Sequence, residues 1–255
     1  VTIALPARAK LNLDLAVLGR RDDGFHNVRT TLQAIDLHDL ITLASADRTN
    51  LTTSGIEVTG TKDNSVLKAL TALEAATKRN LPTRIHVHKR IPPGAGLGGA
   101  SADAATALRG LAALHRVTAD LRAIASRLGA DVPFFLTGGT AIGEQRGDHL
   151  RSIPTKPAWF ALAWPGVELL TPDVYRAWDE NPGEPPNDLA KAAMRIEPTL
   201  QEFANALNSG GGAGWQMTGS GSAFFRRCDD EAEARASTAK LNCWTAVAQA
   251  LGPWA

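Results

Sequence analysis

The chain has 255 residues, 44% apolar and 21% charged, with a formal net charge of +1 at pH 7. This suits one large globular domain or two modest ones, and it excludes the basic excess of a nucleic-acid binder. No apolar run is long enough for a membrane span, and two cysteines without a CxxC pair, Cys228 and Cys243, indicate neither a disulfide scaffold nor a zinc site. The start, "VTIALPARAK", lacks the plan of a secretory signal, so the cytoplasm is the expected location.

In chain order, "KLNLDLAVLG" alternates as a half-buried strand, with Leu11, Leu13, Leu15 and Val17 on one side and Lys10, Asn12 and Asp14 on the other. The turn-rich "RRDDGFHN" follows. "RTTLQAIDLHDLITLAS" reads as strand broken by a turn near His38, and "TSGIEVTG" as another strand. "SVLKALTALEAATKR" has the helical apolar period, with Asp63 or Asn64 as its cap. "TRIHVHK" alternates again, with His86 and His88 on its outer face. A glycine-rich stretch then leads into a helix from about Ser101 to His115, and "ADLRAIASRLG" forms a third helix stopped by Gly129. "GGTAIGEQRG" closes this half as a strand. After Pro154 and Pro157 come a buried strand in "AWFALAW", a short helix in "TPDVYRAWDE", a helix around Leu200, a strand entered through "GWQMTGSGSAFFRR", a helix in "EAEARASTAK" and a last strand in "CWTAVAQAL". The mixed order points to an α+β fold in two domains, 1–153 and 154–255, rather than a regular βαβ ladder.

The chemistry concentrates in "PPGAGLGGASADAA", where Gly94, Gly96, Gly98 and Gly99 stand between a strand and a helix. Glycines there let main-chain amides converge on an anion, and the helix adds its own unpaired amides and positive dipole end. Ser101, in the first helical turn, can reach a phosphate or a magnesium ion. The stretch lacks the Gly-Lys-Ser/Thr of a Walker A loop. It has the glycine spacing of the dinucleotide fingerprint without the acidic residue some 20 positions on. A second small-residue loop, "TGSGSAFF", suggests that two loops meet over one phosphate at a domain interface. Phosphoryl transfer also needs a group to deprotonate the acceptor. Asp131, in the apolar "LGADVPFF", fits if Lys10 pairs with it. Phe25, His26 and Tyr175 suit a flat ring ligand. Plainer readings exist for each: tight turns for both loops, a turn cap for Asp131, a solvated charge for Lys10, and core packing for Phe25.

The segments "AKLNLDLAVLGRRDDGFHNVRTTLQAIDLHD", "KDNSVLKA", "KRIPPGAGLGGASADAATAL", "LGADVPFFLTGGTAIGEQRGD", "GVELLTPDVY", "ND" at Asn187 and "MTGSGSAFF" span about residues 6 to 225. In this order they resemble the GHMP small-molecule kinase superfamily, closely so a branch acting on a cytidine-diphosphate-linked methylerythritol. The resemblance implies two α/β domains with the active site in the cleft between them. It implies ATP-dependent phosphorylation of the 2-hydroxyl of that polyol, with Mg2+, in the non-mevalonate route to isoprenoids. Asp131 falls on the catalytic base and Lys10 on the lysine that polarises it and the hydroxyl. Pro92, Gly94, Ala95, Gly96, Leu97, Gly98, Gly99, Ala100, Ser101 and Ala102 fall on the triphosphate loop. Asn64 and Lys89 fall near the adenine nucleotide. Phe25, His26 and Tyr175 fall on the cytidine pocket, Asn12 near the acceptor sugar, and Gly219 and Gly221 on the phosphate side of that substrate. The chain departs from the pattern at Phe25, where the family has tyrosine, and at Ala100 and Ala102, where it has glycine and serine. The ring is kept at residue 25 without its hydroxyl, and of the two serines only Ser101 remains. No residue is assigned to the metal, and neither a membrane nor a nucleic acid is an expected partner.

Overall fold

The computed structural model describes residues 1–57, 64–210 and 212–254. In chain order the elements are β1 (Thr2–Arg20), β2 (His26–Ser45), β3 (Asn50–Gly55), α1 (Ser65–Thr77), β4 (Thr83–Lys89), α2 (Gly99–His115), α3 (Leu121–Leu128) and the single turn α4 (Phe134–Thr137). They continue with β5 (Thr140–Glu144), β6 (His149–Ile153), β7 (Trp159–Trp164), α5 (Thr171–Glu180), α6 (Ala190–Ile196), α7 (Thr199–Gly210), β8 (Gln216–Met217), β9 (Phe224–Cys228), α8 (Glu231–Thr238) and β10 (Trp244–Gln249).

The α+β class is as the sequence indicates. The chain divides into two compact units, one made of residues 1–9, 38–93 and 98–137, the other of residues 10–37, 94–97 and 138–255. This division is not the single cut near residue 154. The reason lies in β1 and β2, which run 19 and 20 residues, about twice the usual upper length of a strand, so that each contributes to both units.

In the first unit, the second half of β2 pairs antiparallel with β4 (Leu40 opposite His88) and β3 lies parallel to β4. Helices α1, α2 and α3 bury Val66, Leu70, Leu73, Leu108, Leu111 and Ile124 with Ile41, Leu43, Ile85 and Val87 of the strands. Asn64 caps α1 by accepting from the Val66 amide at 2.9 Å, while Asp63, the other expected cap, lies outside the described residues. Residues 58–60 of the strand expected in "TSGIEVTG" lie outside them too. Asp120 caps α3 and Gly129 ends it.

In the second unit, the first half of β2 pairs antiparallel with β5, and β5 with β6. A separate four-stranded sheet runs β10-β7-β9-β8. Its core joins Leu15, Val17 and Val28 to Leu169, Val174, Leu200, Leu207 and Phe224. The break expected near His38 is not there, because β2 is continuous from His26 to Ser45. The polar residues that suggest a turn have partners along the strand. Asp36 accepts from the Gln249 amide at 2.8 Å, and Asp39 is wholly buried by an ion pair described below. Among the described residues no helix is long and apolar enough to cross a membrane.

Candidate active site

Lys10 and Asn12 occupy the polar side of β1 and are covered there, only 4% and 7% exposed, whereas Asp14 further along the same side is exposed. The Lys10 ammonium donates to Asn12 Oδ1 at 2.5 Å and to the Gly96 carbonyl at 2.7 Å. An ammonium can only donate, which fixes the oxygen of Asn12 toward it. The Asn12 amide in turn donates to Thr30 Oγ1 at 2.8 Å, and that hydroxyl donates to the Asp14 carbonyl at 2.6 Å. Thr30, which the sequence did not single out, therefore orients Asn12 and through it the ammonium.

Residues 94–97 are built into the second unit by their carbonyls. Leu169 donates to Gly94, Ala223 to Ala95, and the Lys10 amide to Leu97, at 3.3, 3.0 and 3.0 Å. Gly96 has φ +75°, and a Cβ there would stand 2.4 Å from the Thr218 carbonyl oxygen. Only glycine lets the two small-residue loops approach so closely. The second loop is a tight turn, with Gly221 N donating to Thr218 O and Thr218 N to Ala223 O, each at 3.0 Å. Asn187, 5% exposed, holds it by donating to the Met217 and Gly219 carbonyls at 2.8 and 2.9 Å. Thr218 Oγ1 also accepts from the main-chain N–H of Asn12 at 2.8 Å. The structure thus brings Asn12, Gly96 and Gly219 together around the buried Lys10 ammonium, with Gly221 against Gly96.

The ring residues gather on α5. Tyr175 stacks on His26 with centroids 4.7 Å apart and planes 22° from parallel, and Trp178 meets His26 edge-on at 5.8 Å. Asp179 Oδ1 lies 2.7 Å from His26 Nε2. The spacing 175, 178, 179 puts all three on one helical face. A carboxylate only accepts, so His26 Nε2 donates the hydrogen of this bond. Phe25, on the turn before β2, is 55% exposed, with the Arg146 guanidinium 5.3 Å from its ring centre. Asp179 and Arg146 carried no sequence signal, since charged residues on a helix and in a turn are ordinarily solvated.

In the first unit, Gly98 (φ +74°) opens α2 without a side-chain cap and with no acidic residue in the first turn. Within the first unit, no main-chain carbonyl among the described residues accepts from the amides of residues 98–101. Ser101 is half-buried and Ala102 buried, with Ala102 N bonded to Gly98 O at 2.9 Å. Pro92 is buried at the start of the loop. Ala100 is exposed, so the alanine there meets no packing constraint. Asn64 spends its side-chain oxygen on the helix cap, which leaves its Nδ2 for a ligand. Asp131 is half-buried in the turn after α3, where its carbonyl accepts from Phe134 N at 3.2 Å. His86 and His88 bond to Thr52 and Ser54 on the sheet surface, as their outward register implies.

Lys89, expected near the nucleotide, has its side chain engaged by two acidic residues. Its ammonium is bonded to Asp39 Oδ2 and, at 2.7 Å, to Asp103 Oδ2.

The family model for the GHMP kinases N terminal domain matches residues 64–139. Two relatives named 4-diphosphocytidyl-2-C-methyl-D-erythritol kinase come from Moorella thermoacetica and Halorhodospira halophila. The first is 35% identical over 94% of each chain, the second 39% identical over 96% of this chain and 92% of the relative. The chain belongs to the 4-diphosphocytidyl-2-C-methyl-D-erythritol kinase family. A crystal structure of 4-(cytidine 5'-diphospho)-2C-methyl-D-erythritol kinase matches with a TM-score of 0.86 at 34% identity, covering 98% of this chain and 100% of that one. The family places the chain among the kinases of GHMP fold, and the fold described above is of that kind.

Proposed function

We propose that the chain transfers the γ-phosphoryl group of ATP to the 2-hydroxyl of 4-(cytidine 5'-diphospho)-2-C-methyl-D-erythritol, a cytoplasmic step toward isoprenoids. The observation that carries this reading is the buried Lys10 ammonium, held by Asn12 and the Gly96 carbonyl where the two glycine loops meet. Phosphoryl transfer asks chiefly for positioning and positive charge, and a preset ammonium supplies both without reorganisation.

Asp131 takes the proton of the acceptor hydroxyl, and that oxygen forms the new bond to phosphorus as the bond to the ADP oxygen breaks. Lys10 stabilises the developing alkoxide. The amides from Gly96 to Ser101, with the positive end of α2, hold the phosphates. Magnesium would screen the phosphate charge. Its ligands would be phosphate oxygens and water, with the Ser101 hydroxyl as the protein oxygen available to it. Among the described residues no group of three or more histidine, cysteine or acidic side chains is clustered as a metal site of its own. Phe25, His26 and Tyr175 take the cytosine ring, with Asp179 setting the hydrogen on His26.

The test is ADP release from ATP with a panel of acceptors: the cytidylylated polyol, methylerythritol phosphate, mevalonate, homoserine and a hexose. Turnover confined to the cytidylylated acceptor, and lost in Lys10→Met, is the expected result. Turnover with mevalonate or homoserine instead would replace the acceptor, and no ADP with any acceptor would refute the kinase reading.

A further inference from the structure

Two carboxylates and one ammonium are buried together at the foot of the glycine-rich stretch. Lys89 ends β4, Asp39 lies in β2, and Asp103 lies in the second turn of α2; they are 8%, 0% and 3% exposed. The Lys89 ammonium donates to Oδ2 of both carboxylates. Asp39 Oδ1 also accepts from the amides of Arg90 and Ile91, at 2.5 and 2.8 Å. Asp103 Oδ1 is buried with no hydrogen-bond partner in the structure.

Placed on the chain, these bonds have a simple geometry. The main chain leaves the first unit after Pro93, contributes residues 94–97 to the second, and re-enters at Gly98. Asp39 holds the departing strand by two amides, and Asp103 belongs to the returning helix. Lys89 joins the two. The start of α2 lies against the same group, because a Cβ on Gly99 would meet Ile91 Cγ2 at 3.0 Å and Asp39 Oδ2 at 3.7 Å. The cluster therefore closes the neck of the excursion that carries residues 94–97.

Burying three charges is expensive, and an apolar cluster of the same volume would hold a fold as well. What ions give in exchange is fixed geometry between three elements. We infer that Asp39, Lys89 and Asp103 are positioning residues for the nucleotide: they set the spacing of the two ends of the glycine-rich loop and so its affinity for ATP. This rests on the reading of that loop as the triphosphate site.

The charges are unequal in a way that supports it. Burial pushes the Asp103 carboxyl up to about 7; the Lys89 charge opposes this, while the Asp39 charge and a hydrogen bond to Asp39 add to it. Burial works against the Lys89 charge as well, but Asp103 and Asp39 together outweigh it and hold that ammonium above its ordinary range. Asp39 accepts from two amides and the ammonium, whereas one oxygen of Asp103 has no partner, so Asp103 is the weaker arm of the clamp. Asp103 can be altered while the Lys89–Asp39 bond and the two amide bonds to Asp39 remain.

The experiment compares steady-state kinetics of wild type, Asp103→Ala and Asp103→Asn, varying ATP and the cytidylylated acceptor separately. The expected result for Asp103→Ala is a KM for ATP raised about 10-fold, with kcat and the acceptor KM within about 2-fold. Asp103→Asn, which restores an oxygen to Lys89, should recover the KM for ATP to within about 3-fold. A residue that only stabilises the fold would lower the active fraction for both substrates alike and give no such split. An unchanged KM for ATP in Asp103→Ala, or equal rises for both substrates, would overturn the inference. If Asp103→Ala does not fold, Lys89→Arg keeps the charge but displaces the bridged elements. The same selective rise is then expected, and its absence would overturn the inference equally. A wild type that turns over ATP while these variants show no split refutes the clamp alone. A wild type with no ATP turnover refutes the reading beneath it.

Discussion

Replacing Gly96 by alanine tests the meeting of the two glycine loops. The perturbation has two parts. At φ +75° an L-residue is strained by ~1–2 kcal/mol. The new Cβ would also stand 2.4 Å from the Thr218 carbonyl oxygen, well inside any real contact, so one loop must retreat by about half an ångström or more. Gly96 carries the carbonyl that accepts from Lys10, and Thr218 carries the hydroxyl that accepts from the main-chain N–H of Asn12. Either movement displaces the ammonium from its setting. Misplacement of about 1 Å at a reacting centre costs ~10²-fold, so kcat/KM should fall by ~30–100-fold with a stability loss of ~2 kcal/mol. Gly166 is the matched control: φ is +82° there, and a Cβ meets nothing within 4 Å. Gly166→Ala should cost ~1 kcal/mol in urea unfolding with kcat/KM within about twofold of wild type. A coupled assay for ADP reads both variants. If Gly96→Ala kept more than about a third of wild-type kcat/KM, the close approach of the loops would have no bearing on catalysis.

Asp131→Asn should lower kcat by ~10²–10⁴-fold while the Kd for ATP, read by calorimetry, stays within about threefold; near-normal turnover would remove Asp131 from the role of base. Asp179→Ala frees His26 to take either tautomer, so the KM for the cytidylylated acceptor should rise ~10-fold with the KM for ATP unmoved, whereas equal changes would argue against a role at the base ring. Phe25→Ala should show the same selectivity through loss of stacking. Asp103 gives a pH signature in stability. Its native carboxyl titrates at about 7, above the ordinary 3.8, so between these values the native chain holds more protons than the unfolded one. Stability therefore falls as pH rises from about 4 to about 7 and levels off beyond, by on the order of a few kcal/mol. Asp103→Asn removes that loss, so its stability relative to wild type should improve between urea titrations at pH 5 and pH 8; an equal difference at both would show that Asp103 is already ionised at pH 5.

Much of the fold was legible because each signal was local. The period of "SVLKALTALEAATKR" and the Gly129 stop describe α1 and α3 correctly. Glycines massed before "ASADAATAL" mark a strand-to-helix junction with an uncapped helix start. Signals that depend on a distant partner misled. The alternation of "KLNLDL" reads as one dry and one wet face, yet Lys10 and Asn12 are covered, because Thr30, Gly96 and Thr218 come to them from far along the chain. "AIDLHDL" reads as a turn because Asp36 and Asp39 are poor strand residues until Gln249 and Lys89 supply their partners. Helix α6 escaped notice because its buried positions, Ala192 and Ala193, are too small to stand out from the loop before it. A single cut near residue 154 followed the prolines, whereas strands of 19 and 20 residues carry the chain through both units. Asp39, Asp103, Asn187 and Asp179 support the site through side chains whose partners no spacing rule connects.

The central claim is that this chain phosphorylates the 2-hydroxyl of a cytidylylated polyol, and 31P NMR of the product measures it directly. Incubation of the purified chain with Mg-ATP and 4-(cytidine 5'-diphospho)-2-C-methyl-D-erythritol should yield ADP and one new phosphomonoester resonance in equal amounts, with the diphosphate of the acceptor intact and both products formed ~10²–10⁴-fold more slowly by Asp131→Asn. ADP without a new phosphomonoester, or a phosphomonoester formed only on an acceptor lacking the cytidine group, would contradict it.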